Sequence, residues 1–310
     1  MHISKPFMSR REFLQKATSA VAIATLAPTV LRAQESAQKP SADQKRKIHK
    51  GIMWATVGVK GSVLEKMKAI KEAGFEGTEM MSHMDQEEVL RARDEIGLVI
   101  PSVCGAKHWD KPLSHPDPKV REEGLEALKQ TLRDGKRYGA TSVLLVPAVV
   151  NKDVSYADAY ARSQTEIRKA VPLAEELGVK IAIENVWNQF LLSPLEAARY
   201  IDEFNSPAVG WHFDVGNIVN FGWPEHWISV LGKRIQKLHI KEFSRKKRDS
   251  EGLWKGFNVG FLEGDNNWPA IMKALDQISY DGWGIAEQGG GDTLEGLKEL
   301  SNRMDRIFSS

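Results

Sequence analysis

Four short apolar runs of this 310-residue chain end on side chains able to hold a metal ion: Glu184 in VKIAIEN, Asp214 in VGWHFDVGN, His239 in IQKLHIKE and Glu287 in GWGIAEQG. Three carboxylates and one imidazole make a hard, oxygen-rich donor set suited to a single divalent ion such as Mn²⁺, Mg²⁺, Co²⁺ or Zn²⁺. A divalent ion chelated by a carbonyl and an adjacent hydroxyl makes the neighbouring C–H acidic and holds the resulting enediolate, so a nearby carboxylate can remove the proton. Taken one at a time, each of these acids reads equally well as a helix cap or an ion-pair partner, and His239 as a core histidine with satisfied ring nitrogens. Their shared position at strand ends is what argues for a common site.

The ligand candidates lie 30, 25 and 48 residues apart, so they belong to separate supersecondary units. A (β/α)₈ TIM barrel brings such units together, because all eight strands deliver their C-terminal ends to one face. The periodicity supports that architecture. Strand-like runs fall near 49–56, 74–80, 98–104, 142–150, 179–185, 208–215, 235–242 and 282–288. Amphipathic segments at 63–73, 86–96, 120–138, 156–177, 194–204, 224–231, 268–278 and 294–307 separate or follow them. Apolar residues three and four apart, such as Leu125, Leu128 and Leu132, mark the helices, and several end at a glycine, as at Gly74, Gly97, Gly139 and Gly178. Strict alternation argues for a parallel sheet, and eight repeats argue for closure. The alternative, an open doubly wound sheet, more often carries a glycine-rich phosphate turn after its first strand, and MWATVGVKG has no such spacing.

As an ordered set, Ile183-Glu184-Asn185, Phe213-Asp214-Val215-Gly216-Asn217, His239-Ile240-Lys241-Glu242 and Ala286-Glu287 resemble the xylose isomerase-like sugar isomerase/epimerase superfamily. This TIM-barrel group includes tagatose 3-epimerase, L-xylulose-5-phosphate 3-epimerase, inosose dehydratase and, more distantly, endonuclease IV. The resemblance spans roughly 48–307. It implies that Glu184, Asp214, His239 and Glu287 are the metal ligands, and that Glu184 and Glu287 act as the acid and base on opposite sides of a bound sugar. It places a substrate-binding arginine at Arg245. It also puts Asn217 where some of the epimerases carry a histidine, a departure that bears on a substrate hydroxyl.

Further substrate contacts are expected from the loops above the barrel. Trp54 and Trp187 offer aromatic faces for sugar C–H surfaces, with packing as the alternative for each. Glu79, ending the second strand, would bind a hydroxyl or buttress the barrel. The Pro-rich segment GAKHWDKPLSHPDP suggests a lid, with His108 as a substrate contact. Lys241, two residues past His239, faces the barrel interior, where it would hold a substrate oxygen, donate a proton or form an internal salt bridge. The run Arg245 to Arg248 reads as a solvated loop, and the lone Cys104 as a small buried residue.

Residues 1–33 read as an address. Ser9-Arg10-Arg11-Glu12-Phe13-Leu14 resembles a twin-arginine signal, followed by an apolar stretch from Ala17 to Leu31 and a cleavage site at Leu31-Arg32-Ala33. That stretch is too short and too interrupted for stable membrane insertion. The expectation is recognition by the twin-arginine export machinery and a periplasmic or otherwise exported enzyme, preceded at 34–47 by a flexible leader. The whole chain has a net charge of +2; removing the first 33 residues, which hold five of the 43 basic and one of the 41 acidic residues, leaves −2. That balance gives no electrostatic footprint for nucleic acid. The reading is thus a metal-dependent isomerase or epimerase of a non-phosphorylated sugar, as a possible homo-oligomer. A keto-sugar lyase or hydratase acting on 3-keto-glycosides by β-elimination is the runner-up, with a non-catalytic sugar-binding barrel third.

Overall fold

A computed structural model describes residues 46–310. The signal and nearly all of the leader expected from the sequence lie outside the described residues. Eight parallel strands close in sequential order, β1 (Ile48–Met53), β2 (Gly77–Met81), β3 (Ser102–Cys104), β4 (Ser142–Leu145), β5 (Lys180–Glu184), β6 (Val209–Asp214), β7 (Ile235–Ile240) and β8 (Gly282–Ala286), with β8 pairing back onto β1. Arg46, just ahead of β1, forks onto Asp276 and donates to the carbonyls of Phe308 and Ser310.

The outer ring is formed by α1 (Val63–Glu72), α2 (Gln86–Ile96), α3 (Pro118–Tyr138), α4 (Tyr156–Leu177), α5 (Pro194–Asp202), α7 (Pro224–Leu231), α9 (Trp268–Gln277) and α10 (Leu294–Phe308). Between these lie the short α6 (Val215–Val219) and α8 (Arg245–Glu251). The helix ends follow local chemistry. Ser62 and Glu65 make a capping box on α1, and Asp85, Asp117, Ser155 and Ser193 cap the next four ring helices. Gly97, Gly139 and Gly178 end α2, α3 and α4 in the left-handed conformation.

Two periodicities separate two interiors. Along β5, Ile181 and Ile183 join the core between sheet and helices, as do Trp211 and Phe213 on β6 and Leu238 and Ile240 on β7. The alternate residues, Ala182 and Glu184, His212 and Asp214, and Lys237 and His239, therefore face the barrel lumen. Apolar burial outside the sheet carries the stability, which leaves the lumen free to hold polar groups.

The strands are shorter than the sequence suggests. β4 stops at Leu145 because Pro147 has no N–H to continue the ladder, and Val149 and Val150 bond instead to Ser114 Oγ and the Asn188 carbonyl. The segment 54–56 is a turn of 3₁₀-helix rather than strand. Arg245 to Arg248 begin α8, not a solvated loop, because Ser244 caps the turn by accepting from the Lys247 N–H.

Candidate functional site

His239, fully enclosed at the end of β7, is the hub of the lumen. Its Nδ1 lies 2.9 Å from Glu184 Oε1 and 2.9 Å from Glu287 Oε2, and its Nε2 lies 2.9 Å from Glu79 Oε1. The two nitrogens therefore face different surroundings, Nδ1 the paired glutamates and Nε2 a carboxylate deeper in the barrel. Glu287 sits one residue past β8 and is fixed by its N–H, which donates to the Ile240 carbonyl.

Asp214 divides its oxygens between two jobs. Oδ1 accepts from the Asn217 N–H at 2.8 Å and caps α6, while Oδ2 lies 3.1 Å from Lys241 Nζ. Lys241 Nζ also reaches Glu287 Oε2 at 2.8 Å. Of the roles open to it, Lys241 therefore forms an internal salt bridge, with Asp214 and Glu287 as partners. Its stem crosses close over α6, where a Cβ on Gly216 would meet Lys241 Cβ at 2.8 Å, so only glycine fits at that turn.

One atom of each of Glu184, Asp214, His239 and Glu287 falls within 4.8 Å of the others, close enough to share one ion. The donors fit a divalent cation. Asp214 Oδ2 and Glu287 Oε2 are buried without a well-directed hydrogen bond, although charged neighbours lie near. Buried carboxylate oxygens in that state are costly unless a cation takes them. With a neutral imidazole, the three carboxylates of Glu184, Asp214 and Glu287 face the single ammonium of Lys241 and are left with excess negative charge.

The proton affinities express the same crowding. Burial raises Glu184 and lifts Asp214 to about 7, against the pull of His239 and Lys241 respectively. Burial also opposes ionisation of Glu287, but Lys241 and His239 outweigh it and hold that carboxyl well below its usual range. For His239, burial is overcome by Glu79, Glu287 and Glu184, which keep the imidazole well above its usual range.

Glu79 resolves toward the buttressing role. It is wholly buried, accepts from Ser102 Oγ through Oε2 and meets His239 Nε2 through Oε1. This is the carboxylate–histidine arrangement that orients a metal-ligating imidazole through its second nitrogen. Glu79→Gln is expected to weaken Mn²⁺ binding by about 10–100-fold, measured by isothermal titration. An unchanged affinity would remove Glu79 from the metal site.

Other expected contacts are placed elsewhere. His108 turns its Nδ1 to accept from the Val146 N–H at 3.3 Å, over the ends of β3 and β4. Burial lowers its pKa to about 4, so the fold favours the neutral ring. The unfolded chain protonates His108 near 6.5, and stability falls as pH drops from there toward 4, by up to about 3 kcal/mol. His108→Gln keeps an acceptor for Val146 and should flatten this part of the Tm-versus-pH curve. A parallel curve would contradict the assignment.

Arg245 gives its Nε to the Val219 carbonyl and its Nη2 to the Gly222 carbonyl, both at 2.8 Å, and stacks on Trp223, so it pins the connection between α6 and α7. Asn217 donates from Nδ2 to the Asn185 carbonyl, and Trp187 donates to the Asn217 carbonyl. Trp54 lies beneath the Lys66 ammonium, 5.3 Å from its ring centre.

Two residues at the centre were not singled out from sequence. Asn185 knots β5 to β6, accepting from Trp211 Nε1 and the Asp214 N–H while donating to the Asp214 carbonyl. His212 is fully buried 4.2 Å from the His239 ring with neither nitrogen hydrogen-bonded among the described residues, and burial keeps it neutral. Its place two residues before Asp214, hence on the same strand face, was the available signal.

Residues 67–306 match the xylose isomerase-like TIM-barrel family. The chain belongs to that family. Among curated relatives, L-ribulose-5-phosphate 3-epimerase UlaE of Escherichia coli O1:K1 is 24% identical over 264 residues, 79% of this chain and 88% of that protein. Among solved structures, the 3-keto-D-glucoside 4-epimerase YcjR of E. coli superposes with a TM-score of 0.71 at 17% identity, over 84% of this chain and 99% of that one. D-psicose 3-epimerase in the presence of D-fructose gives 0.69 at 17% identity, over 84% and 98%. These structural likenesses establish the barrel. No helix among the described residues of this family member is long and apolar enough to cross a membrane.

Proposed function

We propose that this family member is a divalent-metal-dependent sugar isomerase/epimerase that moves a proton at the carbon next to a carbonyl, acting on a non-phosphorylated sugar. The observation that carries this reading is the convergence of Glu184 Oε1 and Glu287 Oε2 on His239 Nδ1, with Lys241 against Glu287. Glu184, Asp214, His239 and Glu287 would hold the metal, which when bound polarises the substrate carbonyl and neutralises charge that develops on it. The two glutamates come from β5 and β8, so each approaches a substrate from its own side of the lumen. One removes the proton and the other returns it, to the opposite face in an epimerase. Lys241 holds Glu287 in its ionised, proton-accepting form.

Similarity to UlaE, a phosphosugar epimerase by name, and to YcjR and psicose 3-epimerase, which are named for unphosphorylated sugars, supports the reaction class. The twin-arginine-like leader favours the unphosphorylated substrates, because sugar phosphates are cytoplasmic metabolites. Export is part of the proposal, and replacing Arg10 and Arg11 by Lys should leave the precursor in the cytoplasmic fraction.

The test is proton NMR of the Mn²⁺-loaded enzyme in D₂O with free ketoses and 3-keto-glucosides. Deuterium entering next to the carbonyl, with an epimerised or transposed sugar and the aglycone retained, is expected. Aglycone release with an unsaturated keto-sugar would replace the proposal with a lyase, and no exchange with any sugar would overturn both.

A further inference from the structure

A cluster of three aromatic rings, Phe257, Trp187 and Trp254, lies between the Lys241 ammonium and the solvent. Phe257 has its ring centre 5.3 Å from Lys241 Nζ, the ammonium that contacts Asp214 and Glu287. Trp187, on the loop after β5, lies 4.9 Å from Phe257, and Trp254 lies 4.8 Å from Trp187 and 6.5 Å from Phe257, with 66% of its surface exposed. The cluster is built to stay in place. Trp187 is tethered by its indole N–H to the Asn217 carbonyl, and the buried Phe243 supports Phe257 at 4.9 Å. Gly256, whose Cβ would come within 2.4 Å of the Phe243 ring, lets the 3₁₀ turn Leu253–Phe257 settle on that ring, and its carbonyl accepts from the Ser244 N–H.

A lone exposed tryptophan is ordinary. Here it belongs to a three-ring aromatic cluster whose inner member, Phe257, lies beside the Lys241 ammonium of the carboxylate site. We propose that Trp187, Phe257 and Trp254 form a subsite for a second, neutral ring of the substrate, so that the enzyme acts on a keto-glycoside whose aglycone is itself a ring, aryl or pyranose. Both chemistries present a flat, weakly polar face that packs on indole. The proposal rests on the sugar reading of the same site and narrows it from free monosaccharides to ring-bearing glycosides.

The test has a binding arm and a turnover arm. Isothermal titration of the Mn²⁺-loaded full chain compares methyl β-D-glucoside with phenyl β-D-glucoside and cellobiose, and kcat/KM compares the three corresponding 3-keto-glycosides. The expected result is about tenfold tighter binding, and a KM lower by the same factor, for at least one ring-bearing glycoside over the methyl one. The better of the two identifies the aglycone as aryl or saccharide. Trp254→Ala should bring the ratio close to one, and Trp254→Phe should restore most of it. Equal affinities in the wild type, or a ratio that survives Trp254→Ala, would overturn the subsite. A ratio seen in binding without proton exchange on any substrate would sink the proposed reaction while sustaining the subsite.

Discussion

Glu184→Gln and Glu287→Gln are each expected to lower kcat/KM for sugar interconversion by about 10²–10⁴-fold at saturating Mn²⁺. Glutamine keeps the shape and can still offer an oxygen, but it cannot take up a proton. Saturating metal matters because both residues also belong to the proposed cation site, and weakened affinity would otherwise imitate lost acid–base chemistry. The two variants should differ in an informative way. If the glutamates serve opposite faces, each variant still exchanges the α-proton of one epimer with solvent deuterium and loses exchange of the other. Deuterium wash-in measured separately from the two epimers reads this directly. Turnover within threefold of wild type for either variant would assign proton transfer to another group.

The second large effect concerns the cation itself. Glu79, Glu184, Asp214 and Glu287 are gathered around His239 with Lys241 as the only ammonium in contact with Asp214 and Glu287 among the described residues. Folding without a metal must bury these carboxylates against Lys241 and a protonated His239, with Asp214, whose pKa burial lifts to about 7, partly protonated. An ion such as Mn²⁺ that binds the folded site and not the unfolded chain would, at about 100 times its dissociation constant, add about 2.7 kcal/mol. For a barrel of this size that is a rise in Tm of about 5–10 °C, reversed by a chelator. Asp214→Asn should abolish the rise while keeping the helix cap, since the amide oxygen can still accept from the Asn217 N–H. A full metal-induced shift in that variant would contradict the ligand assignment.

The barrel was legible because its signals are local. Each ring helix carries its own periodicity and caps, and Gly97, Gly139 and Gly178 sit where the chain must turn left-handed. The convergence of the four candidate donors was legible because all four residues occupy strand ends, a relation that survives errors of several residues in strand length. What the sequence left open depends on partners distant in sequence. Glu79 reads alike as a hydroxyl ligand or a buttress until β2 and β7 are seen to face each other across the lumen. His108 lies in a loop that promises a lid, yet the N–H of Val146, freed where β4 ends before Pro147, captures its ring. Arg245 looked like an available cation, but the carbonyls left at the end of α6 claim its guanidinium. Trp254 and Phe257 carried no sequence signal, because the cluster arises only when the loops after β5 and β7 meet.

The most direct measurement is an anomalous-difference map from crystals of the protein grown with Mn²⁺ and collected at the manganese edge. The account predicts one dominant peak bounded by Glu184, Asp214, His239 Nδ1 and Glu287, with His239 Nε2 still on Glu79. A peak elsewhere, or none with Mn²⁺ present well above its dissociation constant, would contradict it.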